Sequence, residues 1–214
     1  ITPPHDTGIM SAVSAITDYS ELKTMDKAEA IEKGLYVQIG KEIDDKYIAA
    51  LKSQVKHQDA IDAVQKDIKI VYTPLHGTGN IPVRRVLKEL GFENVYVVKE
   101  QELPDGSFPT VSYPNPESEE AFELAVKLGN EIGADILLAT DPDADRLGVY
   151  VRDEKSGTYH VLTGNMSGCL LAEYEISQMK EAGQLPDDAA LIKTIVTTNL
   201  ANDIADYYNV ELIE

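Results

Sequence analysis

Ile136-Leu137-Leu138-Ala139-Thr140-Asp141-Pro142-Asp143-Ala144-Asp145-Arg146-Leu147-Gly148-Val149-Tyr150-Val151 joins two short apolar runs through a tight acidic turn. Ile136–Ala139 and Leu147–Val151 each read as a β-strand. The link between them is too short for a helical crossover, so the second strand should run antiparallel to the first. Upstream, Ile68–Tyr72 is an apolar strand followed by the loop Thr73-Pro74-Leu75-His76-Gly77-Thr78-Gly79. Val83–Leu90 then reads as a helix closed by Gly91, and Val95–Val98 as a further strand. A loop with four prolines, Pro104 to Pro116, leads into a helix from Glu117 to about Ile132. Strands alternating with helices predict a layered α/β domain with a mixed, mostly parallel four-stranded sheet.

Outward from this block the signals weaken. On the amino-terminal side, Thr7–Ala15 places Ile9, Val13 and Ile16 at helical spacing, with Asp6 or Thr7 as cap. Asp26–Lys33 is a second short helix stopped by Gly34, and Tyr36–Ile39 alternates like a brief strand. Asp44 to about Gln65 reads as one longer helix with Tyr47, Ile48, Leu51, Val55, Ile61 and Val64 along a face. On the carboxyl side, the turn Lys155-Ser156-Gly157 marks a restart. Tyr159–Leu162 is expected as strand, Asn165–Lys180 as helix, Ala190–Val196 as strand, Leu200–Tyr208 as helix and Val210–Ile213 as strand. Ile192–Thr197 echoes Ile68–Thr73, a weak internal duplication that stops at Glu214. The expected division is residues 1–40 as a tail of a preceding domain and linker, 41–155 as a metal-binding α/β domain, and 156–214 as the first part of an incomplete second α/β unit.

Composition bounds the partners. The 214 residues carry 19 Lys and Arg against 37 Asp and Glu, a formal charge of −18. That charge would be repelled by a phosphate backbone or an anionic leaflet, so neither nucleic acid nor a membrane is expected as partner. One cysteine, Cys169, leaves no internal disulfide and fits a reducing, cytoplasmic compartment. It reads as a helix packing residue. An opening at Ile1 rather than Met suggests the middle of a longer sequence.

The acidic turn carries the chemistry. In a gently turning backbone Asp141, Asp143 and Asp145 project to one side, and three converging carboxylates repel unless a hard cation neutralises them. Mg²⁺ accepts carboxylate oxygens and leaves positions for a substrate phosphate. Arg146 adds a fork of donors suited to a phosphate oxygen. Three carboxylates, Mg²⁺ and Arg146 sum to zero charge. Spacing alone would equally describe a solvated turn; position at the carboxyl end of a buried strand favours a ligand site. An EF-hand would want Gly at Arg146 and Glu at Arg152, and a haloacid dehalogenase-type phosphatase would want Thr or Val at Asp145.

Four ordered stretches resemble the α-D-phosphohexomutases, the phosphoglucomutases and phosphomannomutases. They are Thr73 to Gly79; Pro104 to Val111 with Tyr113 to Glu117; Ala139 to Gly148; and Leu162 to Asn165. Asp-Pro-Asp-Ala-Asp-Arg stands here for the D-G-D-G-D-R common elsewhere in that family. The resemblance implies a Mg²⁺ enzyme interconverting glucose 1-phosphate and glucose 6-phosphate through a phosphoserine and glucose 1,6-bisphosphate. It implies Asp141, Asp143 and Asp145 as metal ligands, and Arg146 and Lys193 as substrate- or phosphate-binding residues; His76 joins that candidate set by its place in a Gly-rich loop at a strand's carboxyl end. The family's T-[AS]-S-H-N-P serine loop is absent, as are its sugar-selecting G-E-x-S-G motif and its phosphate-binding loop R-x-S-G-T-E-P. No catalytic serine can be assigned, the missing domains of the same protein become partners, and the piece alone is expected to be inactive.

The residues leave other readings open. A haloacid dehalogenase-like phosphatase would use Asp141 as nucleophile, and a non-catalytic metal-binding module would use the turn for stability. His76 sits in a Gly-rich loop where bracing and site roles compete. Gly77-Thr78-Gly79 can be an anion cradle or a tight turn. Lys193 has an echo in Lys69 with no assigned role. The proline loop is either a stiff connector or a wall beside the site.

Overall fold

The computed structural model describes residues 1–214, apart from the side chain of Glu21. The chain forms two compact units, residues 1–43 and 44–214. In the first, α1 (His5–Ser14) starts after Pro4 with no side-chain cap, and Asp6 instead lies in the first turn. Its Ile9, Val13 and Ile16 are exposed. Helix α2 (Lys27–Glu32) is capped by Asp26, whose carboxylate accepts from the Ala28 and Glu29 amides at 2.8 and 3.2 Å. The expected strand at Tyr36–Ile39 does not form. Alternation alone cannot hold a strand, because the backbone groups need a neighbour to pair with.

In the second unit, the helix expected over Asp44 to Gln65 is two helices, α3 (Lys41–Lys52) and α4 (Gln58–Val64). The break falls where the Ser53 hydroxyl donates to the Ala50 carbonyl at 2.7 Å, a local bond that competes with helix continuation. Only Ile48 of α3 is buried; Tyr47 and Val64 of the expected apolar face are exposed.

The sheet is built from β1 (Lys69–Thr73), β2 (Asn94–Val97), β3 (Ile136–Thr140), β4 (Leu147–Arg152) and β5 (Tyr159–Leu162), in spatial order β2-β1-β3-β4-β5. Helix α5 (Asn80–Glu89) connects β1 to β2, and α6 (Glu119–Ile132) precedes β3. β1 pairs in parallel with β2 and β3, while β3–β4 and β4–β5 are antiparallel. Four strands therefore point one way and β4 alone opposes them. The α/β class and mostly parallel sheet agree with expectation, but the sheet has five strands rather than four. β5 was expected to open the next unit; it instead pairs with β4 through Arg152↔Tyr159 to Val149↔Leu162. Lys155-Ser156-Gly157 is thus the turn of a hairpin. The Asp153 carbonyl accepts from the Gly157 amide, and the Asp153 amide donates to Thr158 O, both at 2.8 Å.

Beyond β5, α7 (Gly164–Glu181) is capped by Thr163, and α8 (Leu200–Tyr208) lies between β6 (Ala190–Ile192) and β7 (Glu211–Ile213), which pair in parallel. β6 ends four residues earlier than its apolar run, because β7 offers only three partners. Cys169 is buried in α7, as its apolar setting suggested.

The core lies where α6 meets β1 and β3. Val71, Leu137 and Ala139 from the strands meet Ala121, Phe122 and Ala125 from α6, with Leu75, Val98 and Val111 from loops. Phe122 is fully buried and stacks on Tyr150 with ring centroids 4.2 Å apart. Burying a Phe side chain contributes about 1.5–3 kcal/mol. These contacts fix the carboxyl ends of β1 and β3, from which two loops emerge side by side.

Candidate metal centre

The first of these loops is the acidic turn. Thr140 pairs with Leu147 across β3 and β4, so residues 141–146 form a closed hairpin loop. The Ala144 amide donates to Asp141 O at 3.0 Å, and Ala144 itself takes a left-handed conformation at φ 60°. Such a conformation is unusual for a residue with a Cβ and carries strain of order 1–2 kcal/mol. It curls the chain so that one carboxylate oxygen each from Asp141, Asp143 and Asp145 lies within 4.8 Å of the others.

Those spacings fit a hard divalent ion after a small closure. Ligand oxygens about 2.1 Å from Mg²⁺ stand about 3.0 Å apart when adjacent and about 4.2 Å when opposed. Asp141 is buried whereas Asp143 and Asp145 are exposed, an arrangement with one ligand anchored at the end of β3 and two facing solvent. The charge balance asks for a cation as well. Repulsion from Asp143, then from Asp141, holds the Asp145 carboxyl above its ordinary range.

Arg146 braces the buried member. Burial works against the charge of Asp141, but the Arg146 bonds and guanidinium charge outweigh it and keep that carboxyl below the ordinary range. Arg146 N donates to Asp141 Oδ1 at 3.0 Å and Arg146 Nε to Oδ2 at 2.8 Å. Its Nη1 reaches Asn115 Oδ1 at 3.2 Å, while the side chain as a whole remains 43% exposed.

The second loop, residues 74–79, packs against the first. The Thr78 amide and hydroxyl both donate to Pro142 O, at 2.8 and 3.1 Å. A Cβ on residue 77 would stand 2.3 Å from Pro142 Cα, and one on residue 79 would stand 2.6 Å from the Tyr72 hydroxyl. Both positions therefore require Gly for close approach. Beneath them the Tyr72 hydroxyl and Thr140 Oγ1 are hydrogen-bonded at 2.8 Å, and burial pushes the Tyr72 phenol above its ordinary range.

The remaining expected site residues sit differently. His76 is 6% exposed, with Nδ1 3.1 Å from Leu103 O and Nε2 2.9 Å from Thr110 Oγ1. Both ring nitrogens thus brace the proline loop, the bracing alternative of the two left open. Lys193 follows β6 rather than lying within it, and its buried ammonium pairs with Glu214 Oε2 at 2.8 Å. The structure brings Asp141, Asp143, Asp145 and Arg146 together, and leaves Lys193 just beyond the end of β6, paired with Glu214. Asn115, Thr78 and Thr110 were missed. Four prolines in thirteen residues were the available signal, because a rigid loop can present side chains, and Asn115 and Thr110 show it to be a wall rather than a connector.

Comparison with known proteins agrees with this architecture. Residues 45–157 match the model of the phosphoglucomutase/phosphomannomutase alpha/beta/alpha domain II. A phosphoglucomutase of Staphylococcus epidermidis is 40% identical over 158 residues, covering 73% of this chain and 28% of the relative. A probable phosphomannomutase of Haemophilus influenzae is 41% identical over 143 residues, covering 67% and 28%. The chain thus spans less than a third of the length of these relatives. The crystal structure of a phosphoglucomutase/phosphomannomutase family protein from Burkholderia thailandensis superposes with a TM-score of 0.59 at 22% identity, covering 80% of this chain and 32% of that one. With more than half of its residues inside the domain II match, the chain belongs to the phosphoglucomutase/phosphomannomutase family.

Proposed function

We propose that this chain is the metal-binding portion of a phosphohexomutase. The enzyme of which it is a part interconverts hexose 1-phosphates and hexose 6-phosphates, such as glucose 1-phosphate and glucose 6-phosphate, through a phosphoserine and a bisphosphorylated sugar. The observation that carries the proposal is the convergence of the Asp141, Asp143 and Asp145 oxygens at the carboxyl end of β3, in a chain of this family. Asp141, Asp143 and Asp145 hold Mg²⁺, and Arg146 keeps Asp141 ionised and oriented while its exposed guanidinium faces an incoming phosphate. The bound ion supplies Lewis-acid charge to a phosphoryl group being transferred. His76 acts by holding the proline loop, and Lys193 contributes to the phosphate site only by exchanging Glu214 for an anionic ligand. Residues 1–40 belong to a preceding domain and linker, 41–155 to the metal-binding domain, and 156–214 to the start of the next, with β5 joining the first sheet. The serine is supplied by the rest of the protein, so this piece alone turns nothing over. No described helix is long and apolar enough to cross a membrane; a cytoplasmic location belongs to the proposal.

The test is Mn²⁺ or Mg²⁺ calorimetry on this chain and on a variant with all three aspartates replaced by Asn, alongside mutase assays of the same variant in the full-length protein. Heat of binding that disappears in the variant, together with lost isomerisation, is expected. Undiminished isomerisation would refute the proposal, and a phosphoenzyme trapped on Asp141 would replace it with a phosphatase reading.

A further inference from the structure

Beneath the 74–79 loop runs a chain of hydrogen bonds that the proposed reaction does not itself use. Thr73 and Gln101 are fully buried and His76 nearly so. The Leu75 amide donates to Thr73 Oγ1 at 3.2 Å, and Thr73 Oγ1 donates to Gln101 Oε1 at 2.6 Å. Gln101 Nε2 donates to Thr110 Oγ1 at 3.2 Å, which meets His76 Nε2 at 2.9 Å. Leu103 O, an acceptor only, faces His76 Nδ1 at 3.1 Å.

For a neutral imidazole these partners leave one consistent set of directions. Nδ1 must carry the proton that Leu103 O accepts, so Nε2 of the neutral ring is an acceptor. The Thr110 hydroxyl then accepts from Gln101 and donates to His76. Every link has a donor and an acceptor, and no member is left unpaired.

The network also explains an awkward backbone. Leu75 and His76 are consecutive residues at φ 45° and 62°, a region that side chains with a Cβ rarely adopt. Strain of this kind persists where surrounding bonds over-determine it. Here Leu75 is bound through its amide to Thr73 and buried in the core, and the His76 amide donates to Gln101 O at 2.9 Å. The left-handed pair turns Gly77 and Thr78 onto Pro142, between two of the carboxylates.

We propose that Thr73, Gln101, Thr110 and His76 are positioning residues for the metal turn, with His76 donating from Nδ1–H to Leu103 O and acting through Thr78 on Pro142. This rests on the metal reading of the acidic turn. It assigns the imidazole a mechanical task rather than contact with substrate. Supporting groups behind metal ligands commonly change affinity about 10–100-fold when removed.

T110V deletes the hydroxyl at nearly constant volume and leaves the strained residues untouched. Measured by Mn²⁺ calorimetry well below its unfolding midpoint, it should bind about ten-fold more weakly than wild type, and T110S should restore most of the affinity. Nitrogen NMR of the wild-type chain should show His76 protonated at Nδ1 alone, a readout independent of whether any variant folds. T110V with wild-type affinity, while D141N has lost it, would overturn the positioning role and leave the metal reading standing. An Nε2–H tautomer would overturn the hydrogen-bond scheme directly. Absence of Mn²⁺ binding by the wild type would remove both.

Discussion

Replacing Gly77 by Ala tests whether the two loops are coupled. The added Cβ would lie 2.3 Å from Pro142 Cα, 2.5 Å from its carbonyl oxygen and 2.7 Å from its carbonyl carbon. All three are backbone atoms, so no side chain can swing aside. Ordinary contact begins near 3.4 Å, so the acidic turn and the 74–79 loop must separate by about 1.1 Å. Overpacking of this kind costs about 1–3 kcal/mol. For a chain of this size each kcal/mol lowers the unfolding midpoint by about 2–4 °C. The same shift moves Asp141 and Asp143, flanking Pro142, by a large fraction of a metal–oxygen bond of about 2.1 Å. Thermal unfolding with and without Mg²⁺ should therefore show both a lower midpoint and a smaller metal-induced rise. G106A is the control, since nothing lies within 4 Å of a Cβ at that position. If G77A matched G106A in midpoint and in metal response, the packing argument would be wrong.

Other outcomes follow from the same structure. F122A removes a fully buried ring stacked on Tyr150 and should cost about 3–5 kcal/mol in denaturant titration. Because the Asp145 carboxyl is raised, the metal-free folded state holds its proton longer than the unfolded chain. The associated stability is present at low pH and is lost as pH rises through the folded-state titration. D145N or saturating Mg²⁺ should each abolish that slope in thermal melts, and D145N should also weaken the metal response. At the other extreme, burial raises the Tyr72 phenol above its ordinary range, so its contribution is complete at neutral pH and falls as alkali ionises the phenol. Y72F should flatten the alkaline limb of a pH–stability curve while losing about 1 kcal/mol at neutral pH with the Thr140 bond.

What was legible beforehand depended on how far each signal reached along the chain. β1, β3 and β4 carry apolar runs bounded by turn residues, and the shortness of the β3–β4 link dictated their antiparallel pairing. The acidic turn was legible because its three carboxylates and Arg146 are sequence neighbours. Lys155-Ser156-Gly157 marked a turn correctly but not what it joined, since a hairpin and a boundary use the same residues; only pairing of Tyr159 with Arg152 decides. The break between α3 and α4 has neither Gly nor Pro to mark it. His76 was visible as a candidate, yet its partners Leu103 and Thr110 lie 27 and 34 residues away. The Glu214 partner of Lys193 was likewise beyond local reach, on the far side of α8.

The pairing of Thr140 with Leu147 has a consequence for how any larger assembly must work. Both ends of the aspartate turn are stitched to one rigid sheet, so the ion's seat has little freedom to travel. Any adjustment at the site must therefore come from groups outside the turn, and a single residue inserted between Asp141 and Arg146 would displace the carboxylates while leaving the β3–β4 pairing in register.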